Sequence, residues 1–75
     1  TMLNGEQIEQ NNKSNMLIEM SIHGNLLGVK LFLSIGANIY HRNNLAVREA
    51  SKNGHTEIVK ILLDYVADIH ADDEY

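Results

Sequence analysis

The sequence predicts an all-α solenoid of antiparallel helix pairs, stacked side by side and joined by short turns. Three observations carry this reading. The segment GNLLGVKLFLSIGANI, Gly24 to Ile39, returns thirty positions later as GHTEIVKILLDYVADI, Gly54 to Ile69, with six of sixteen positions identical. A fixed offset that preserves both the glycine and the apolar pattern is the signature of a structural repeat. Apolar residues within each copy recur at helical spacing. A glycine opens each copy, where it would stop a preceding helix in the left-handed conformation.

The first pair is expected to begin at Asn15, a cap for a helix through Met16, Leu17 and Met20 to His23. Gly24 stops it. Asn25 caps a second helix that buries Leu26, Leu27, Val29, Phe32 and Leu33 and ends at Gly36. Gly28 lies inside that helix at a cost of about 1 kcal/mol relative to alanine. Its expected use is a close approach between helices.

The second pair repeats the scheme. Ala46, Val47 and Ala50 form a small apolar face on a helix from Leu45 to Asn53, and Ser51 takes a helix–helix contact position. Gly54 ends this helix. Thr56 and Glu57 open the next, with Glu57 in the first turn, where its charge suits the helix dipole. Its expected buried stripe is Ile58, Val59, Leu62, Leu63 and Val66. Leu63 and its counterpart Leu33 are expected among the most buried residues. Lys60 and Asp64 form an exposed i,i+4 pair, worth a few tenths of a kcal/mol. The tail ADIHADDEY reads as an extended loop.

Val66 occupies the position of Gly36. A β-branched residue disfavours the left-handed conformation, so Val66 is expected to pack within an ordinary helical turn.

Composition excludes several classes. Without cysteine the chain has neither a disulfide nor a thiolate zinc site. A net charge of −4 argues against non-specific nucleic-acid binding. Asp64, Asp68, Asp72, Asp73 and Glu74 follow Lys60 with no further cation and read as a solvated acidic end, against a docking patch for a basic partner. The longest apolar-rich run, Leu26 to Ile35, contains Lys30 and is far shorter than the roughly 20 residues of a membrane span. TMLNGEQIEQ lacks the pattern of a secretory signal, so an intracellular, cytoplasmic location is expected.

The run A-S-x-x-G-H-x-x-I-V-K-x-L-L, Ala50 to Leu63, followed by A-D-I at Ala67 to Ile69, resembles an ankyrin repeat. The resemblance covers residues 15–72. In that family G-H links the two helices of a repeat and V-K-x-L-L belongs to the second. His55, the histidine of that link, is implied to be a hydrogen-bonding structural residue. The sequence also departs from the family. Leu45-Ala46-Val47-Arg48 replaces the T-P-L-H block, and the period is thirty where about 33 is usual. The shortening falls between His41 and Leu45, where the family has its β-hairpin finger. This short, proline-free form resembles ankyrin arrays encoded by large DNA viruses of amoebae, for which the cytoplasm would be the host's. The implied organisation is the end of a preceding repeat and turn at 1–14, a repeat at 15–44, and a repeat with an acidic terminal turn at 45–75. Residues 1–3 align weakly with Leu31 to Leu33 and Tyr75 with Leu45, so the chain is expected to be a piece of a longer array.

Catalysis and cofactor chemistry find no support in the pattern. His23, His41, His55 and His70 fall in separate loops without metal-ligand spacing. Ser14, Ser21, Ser34 and Ser51 lack a nucleophile setting. The five glycines are too scattered for a phosphate loop. No enzyme activity, cofactor, nucleic acid or membrane is expected.

The resemblance implies a protein–protein interaction module that binds through the concave face and turns of an array whose neighbours are further repeats. By position, that surface carries Arg42, Asn43, Asn44, Arg48, Glu49, Lys52 and Asn53, with Lys13, Ser14, Ile22 and His23 in the preceding repeat. The alternative is a structural spacer that holds curvature without touching a partner. An exposed apolar or aromatic patch on the concave side would favour binding, and an all-polar face the spacer.

Overall fold

The computed structural model describes the backbone of residues 5–69 and the side chains of residues 10–68. Four helices follow one another: α1 (Gly5–His23), α2 (Leu26–Ser34), α3 (His41–Lys52) and α4 (Thr56–Ile69). No strand occurs among the described residues. Each pair folds back on itself, and the α1/α2 pair stacks against the α3/α4 pair chiefly through α1 on α3. This is the expected all-α solenoid architecture.

Three helix ends use one device. Gly24, Gly36 and Gly54 have φ of +76°, +94° and +75°. The residue after each glycine donates its N–H back across the turn: Asn25 to the Met20 carbonyl at 2.9 Å, Ala37 to Phe32 at 2.9 Å and His55 to Ala50 at 2.9 Å. This satisfies carbonyls that the helix end would otherwise leave open. Asn25 caps α2 as expected, its Oδ1 accepting the Gly28 N–H at 2.9 Å. Val66 does not end a helix, because α4 continues through Ile69, and Val66 is half-buried without a positive φ. The packed alternative holds.

Other boundaries differ from expectation. The expected cap at Asn15 is not formed. Asn15 lies within α1, and its Oδ1 sits 3.1 Å from His41 Nε2. From Glu6 to His23 no glycine or proline interrupts the chain, so the helix has no reason to pause. The loop expected from Ala67 does not begin there, since Ala67, Asp68 and Ile69 are still helical. The rest of the acidic end, His70 and the alignments at residues 1–3 and Tyr75 lie outside the described residues.

The core is a single seam between the pairs: Leu17 and Ile18 from α1, Val29 and Leu33 from α2, Ala37 and Ile39 from the connecting loop, Ala46 and Ala50 from α3, and Ile58 and Leu62 from α4. Small residues let α1 and α3 approach. Ser14 and Ser21 are buried two turns apart, and each returns its hydroxyl proton to a carbonyl one turn back. Ser14 Oγ also accepts the Asn38 N–H at 2.9 Å, pinning the loop to α1. Gly28 admits the Met20 side chain, whose Cγ would stand 2.7 Å from an added Cβ, so the close helix approach is realised.

Several stripe residues are misplaced by periodicity alone. Leu63 is 54% exposed and Leu27 77% exposed, although Leu33 and Leu62 are buried. Ser51 is exposed where its counterpart Ser21 is buried. Leu63 and Ser51 share a cause: in the first pair their positions face α3 and α4, while in the second no described element covers them. Leu27 points away from both neighbours. Lys60 and Asp64 are exposed, and among the described residues no ion pair joins them.

Candidate partner-binding surface

The turn between His41 and Leu45 is where the chain is shortest relative to the repeat it resembles, and its backbone is unusual. Arg42, Asn43 and Asn44 have φ/ψ of 56/44°, 60/50° and 62/34°, a left-handed turn that precedes the right-handed helix starting at Leu45. Asparagine tolerates this region because its short polar side chain can bond locally; arginine gains no such relief. The turn is held by the Asn44 N–H donating to the Tyr40 carbonyl at 3.2 Å. Arg48 Nη1 adds a bond to the Asn43 carbonyl at 3.3 Å. All three turn residues are exposed.

The structure gathers some of the expected surface residues and separates others. Asn43, Asn44 and Arg48 line one groove of about 430 Å³, together with Tyr40, Val47, Leu63 and Val66. Glu49 and Asn53 are joined one turn further along α3, where Asn53 Nδ2 donates to the Glu49 carbonyl at 2.9 Å. Lys52 shares the helix face of Arg48, four residues on, and is exposed. Arg42 projects from the turn without a described hydrogen bond to the other six. On α1, His23 is exposed beside Glu19 at 3.5 Å, an exposed pair of little energetic weight. Lys13 and Ile22 are half-buried. Ser14 does not belong to the surface: it is 1% exposed, because its hydroxyl is spent on the Gln10 carbonyl and the Asn38 N–H.

Pattern reading missed the apolar floor of the groove. Val47, Leu63 and Val66 look like core at helical spacing. For Val47 and Leu63 the signal that separates them is the thirty-residue register, since their counterparts Leu17 and Leu33 are buried where another pair follows; for Val66 the register gives none, because its counterpart Gly36 is exposed.

His55 is a positioning residue for the whole seam. Its ring Nε2 lies 3.0 Å from the Ile22 carbonyl of the first pair. A Cβ at Gly24 would stand 2.6 Å from its Cε1. The ring therefore rests on the preceding turn, and only glycine leaves room beneath it.

Comparison with protein families matches residues 45–74 to the family described as Ankyrin repeat. Residues 45–74 are an ankyrin repeat by this match. The matched segment holds α3, the Gly54–His55 link and α4, the elements that carry the motif. No curated protein and no solved structure matches the chain. Ankyrin repeats generally serve as protein-interaction modules. Among the described residues, no three His, Cys, Asp or Glu side chains converge as a metal site would require. Among the same residues, no helix is long and apolar enough to cross a membrane.

Proposed function

We propose that this ankyrin-repeat chain is a non-catalytic intracellular module that binds another protein through its concave face and turns. Arg42, Asn43, Asn44, Arg48, Glu49, Lys52 and Asn53 form the contact surface. The partner presents an acidic or carbonyl-rich patch. Arg42 and Arg48 are its anchors, because a planar guanidinium grips two acceptors at once.

The observation that carries this reading is the left-handed turn. A non-glycine residue in that region costs about 1–2 kcal/mol, and three in succession buy no buried area here, since all three are exposed. Such strain concentrates where a surface recognises something. The turn also sits beside Arg48, which bonds to it.

The spacer reading draws on the polar character of the seven contact residues, which offer no aromatic anchor of the kind that dominates tight interfaces. One experiment separates the two. Partners are recovered by cross-linking and titrated against Arg48→Glu/Lys52→Glu. Both side chains are exposed, so circular dichroism should show an unchanged fold. Binding is expected to weaken and association to slow, most strongly at low salt. Unchanged affinity and rate for every recovered partner would leave the chain a spacer.

A further inference from the structure

The link between α3 and α4 holds a reactive pair. Asn53 closes α3 and Gly54 follows it, and the same dipeptide occurs elsewhere only at Asn4–Gly5. An asparagine before glycine sets a carboxamide carbon within five-membered-ring reach of a backbone nitrogen that no side chain shields. Attack by that nitrogen forms an N–Cγ bond and breaks the Cγ–Nδ2 bond. The proton of the attacking N–H leaves with the amide nitrogen as ammonia. Water then opens the cyclic imide at either carbonyl. The products are aspartate and isoaspartate, whose main chain runs through the former side-chain carbon.

The folded link holds the reactants apart. The Gly54 N–H donates to the Ser51 carbonyl at 3.1 Å, so the nucleophilic nitrogen is engaged in closing the helix. Asn53 Nδ2 donates to the Glu49 carbonyl at 2.9 Å, which turns the carboxamide back over α3. The imide also needs Asn53 Cβ and the Gly54 nitrogen on one side of the Cα–C bond, and at ψ of 5° they stand well apart. The ring can form only when the end of α3 opens. His55 fastens that end twice: its N–H donates to the Ala50 carbonyl at 2.9 Å, and its ring Nε2 lies 3.0 Å from the Ile22 carbonyl of the first pair. Opening a helix end costs less than unfolding the whole chain.

The exposure of Asn53 belongs to its position in the repeat. Its thirty-residue counterpart is His23, whose side chain is 70% exposed with a second pair stacked on the first. Other exposed asparagines lack the second half of the chemistry. Asn38, Asn43 and Asn44 precede Ile39, Asn44 and Leu45, each with a side chain that crowds the nitrogen.

We propose that Asn53 is a self-modifying site, converted to aspartate and isoaspartate by the Gly54 nitrogen and water when the α3–α4 link opens. The site keeps a covalent record of that opening. The product weakens the link that made it. A carboxylate cannot donate to the Glu49 carbonyl, and it stands at a helix C-terminus, where the dipole disfavours negative charge. Isoaspartate adds a main-chain carbon within the turn that seats His55 on Ile22. The inference rests on the link and not on partner binding, so either can fail alone.

The test is incubation of the full chain at mildly alkaline pH, folded and in urea. Peptide-resolved mass spectrometry reads Asn4 and Asn53 separately and distinguishes the isoaspartyl product. Asn53 should convert in the folded chain about tenfold to a thousandfold more slowly than in the unfolded one, because the reaction waits on local opening. Urea below the unfolding transition should speed it. His55→Ala, which frees the link from Ile22, should speed it too, while in full urea parent and variant should convert at one rate. Circular dichroism checks that the variant keeps its helices; where it does not, the urea series on the parent carries the test. A folded rate outside the expected range overturns the proposal. So does a folded rate that answers neither to urea below the transition nor to His55→Ala.

Discussion

Two adjacent leucines on α4 give the sharpest check on the packing. Leu62 is 0% exposed and Leu63 is 54% exposed. Leucine-to-alanine removes three carbons. At about 0.8 kcal/mol per buried methylene, Leu62→Ala loses about 2.4 kcal/mol of transfer energy. The cavity left behind raises the cost to about 3–5 kcal/mol. Leu63→Ala loses about half the transfer term and leaves no enclosed cavity, so about 1 kcal/mol is expected. A domain of this length has a total stability of about 4–11 kcal/mol, so the first variant should be near the edge of folding and the second not. Urea titration followed by circular dichroism measures both. Should Leu62→Ala fail to fold, Ile58→Val probes the same seam at about 0.5–1.5 kcal/mol. Equal losses for Leu62→Ala and Leu63→Ala would refute the placement of the seam.

Gly24→Ala should destabilise more than Gly54→Ala, although both residues have nearly the same positive φ. Both variants bear the left-handed penalty of about 1–2 kcal/mol, but only Gly24→Ala collides with His55. Adding His55→Ala should relieve that excess in a double-mutant cycle, and strict additivity would count against the contact. Val66→Gly should lower the melting temperature, through a helix-propensity loss of about 1 kcal/mol or less plus lost burial; a higher melting temperature would mean that Val66 is strained.

What could be read from the residues alone followed from local chemistry. Gly24, Gly36 and Gly54 announced the turns because their conformation is nearly theirs alone, and Asn25 announced a cap through its side-chain oxygen. The helix stripes were legible as periodicity. Which side of a stripe would be covered was not, because Leu33 and Leu63 are the same residue in the same local pattern and differ only in whether another pair follows. The length of α1 was missed because Asn15 can cap or continue a helix, and nothing local decides. The shortened turn was visible at residues 42–44, while its left-handed backbone was not, since Arg42 gives no local reason for it. Of the candidate surface, the polar residues were legible, but Ser14 was misassigned and the apolar groove beside Arg48 was read as core.

The two sides of the seam are unequal, with the backbones of α1 and α3 in close approach and those of α2 and α4 further apart. This gives the molecule a direction of mechanical softness. Bending that parts the outer helices works against the longer side chains of Val29, Leu33, Ile58 and Leu62, whereas bending that parts the inner ones must break the close seam of Ala46, Ala50, Ser14 and Ser21. The inner seam therefore acts as a hinge and the outer one as a gap that opens and closes about it. A load along the array would be taken up first as a change of curvature, and only later as unfolding.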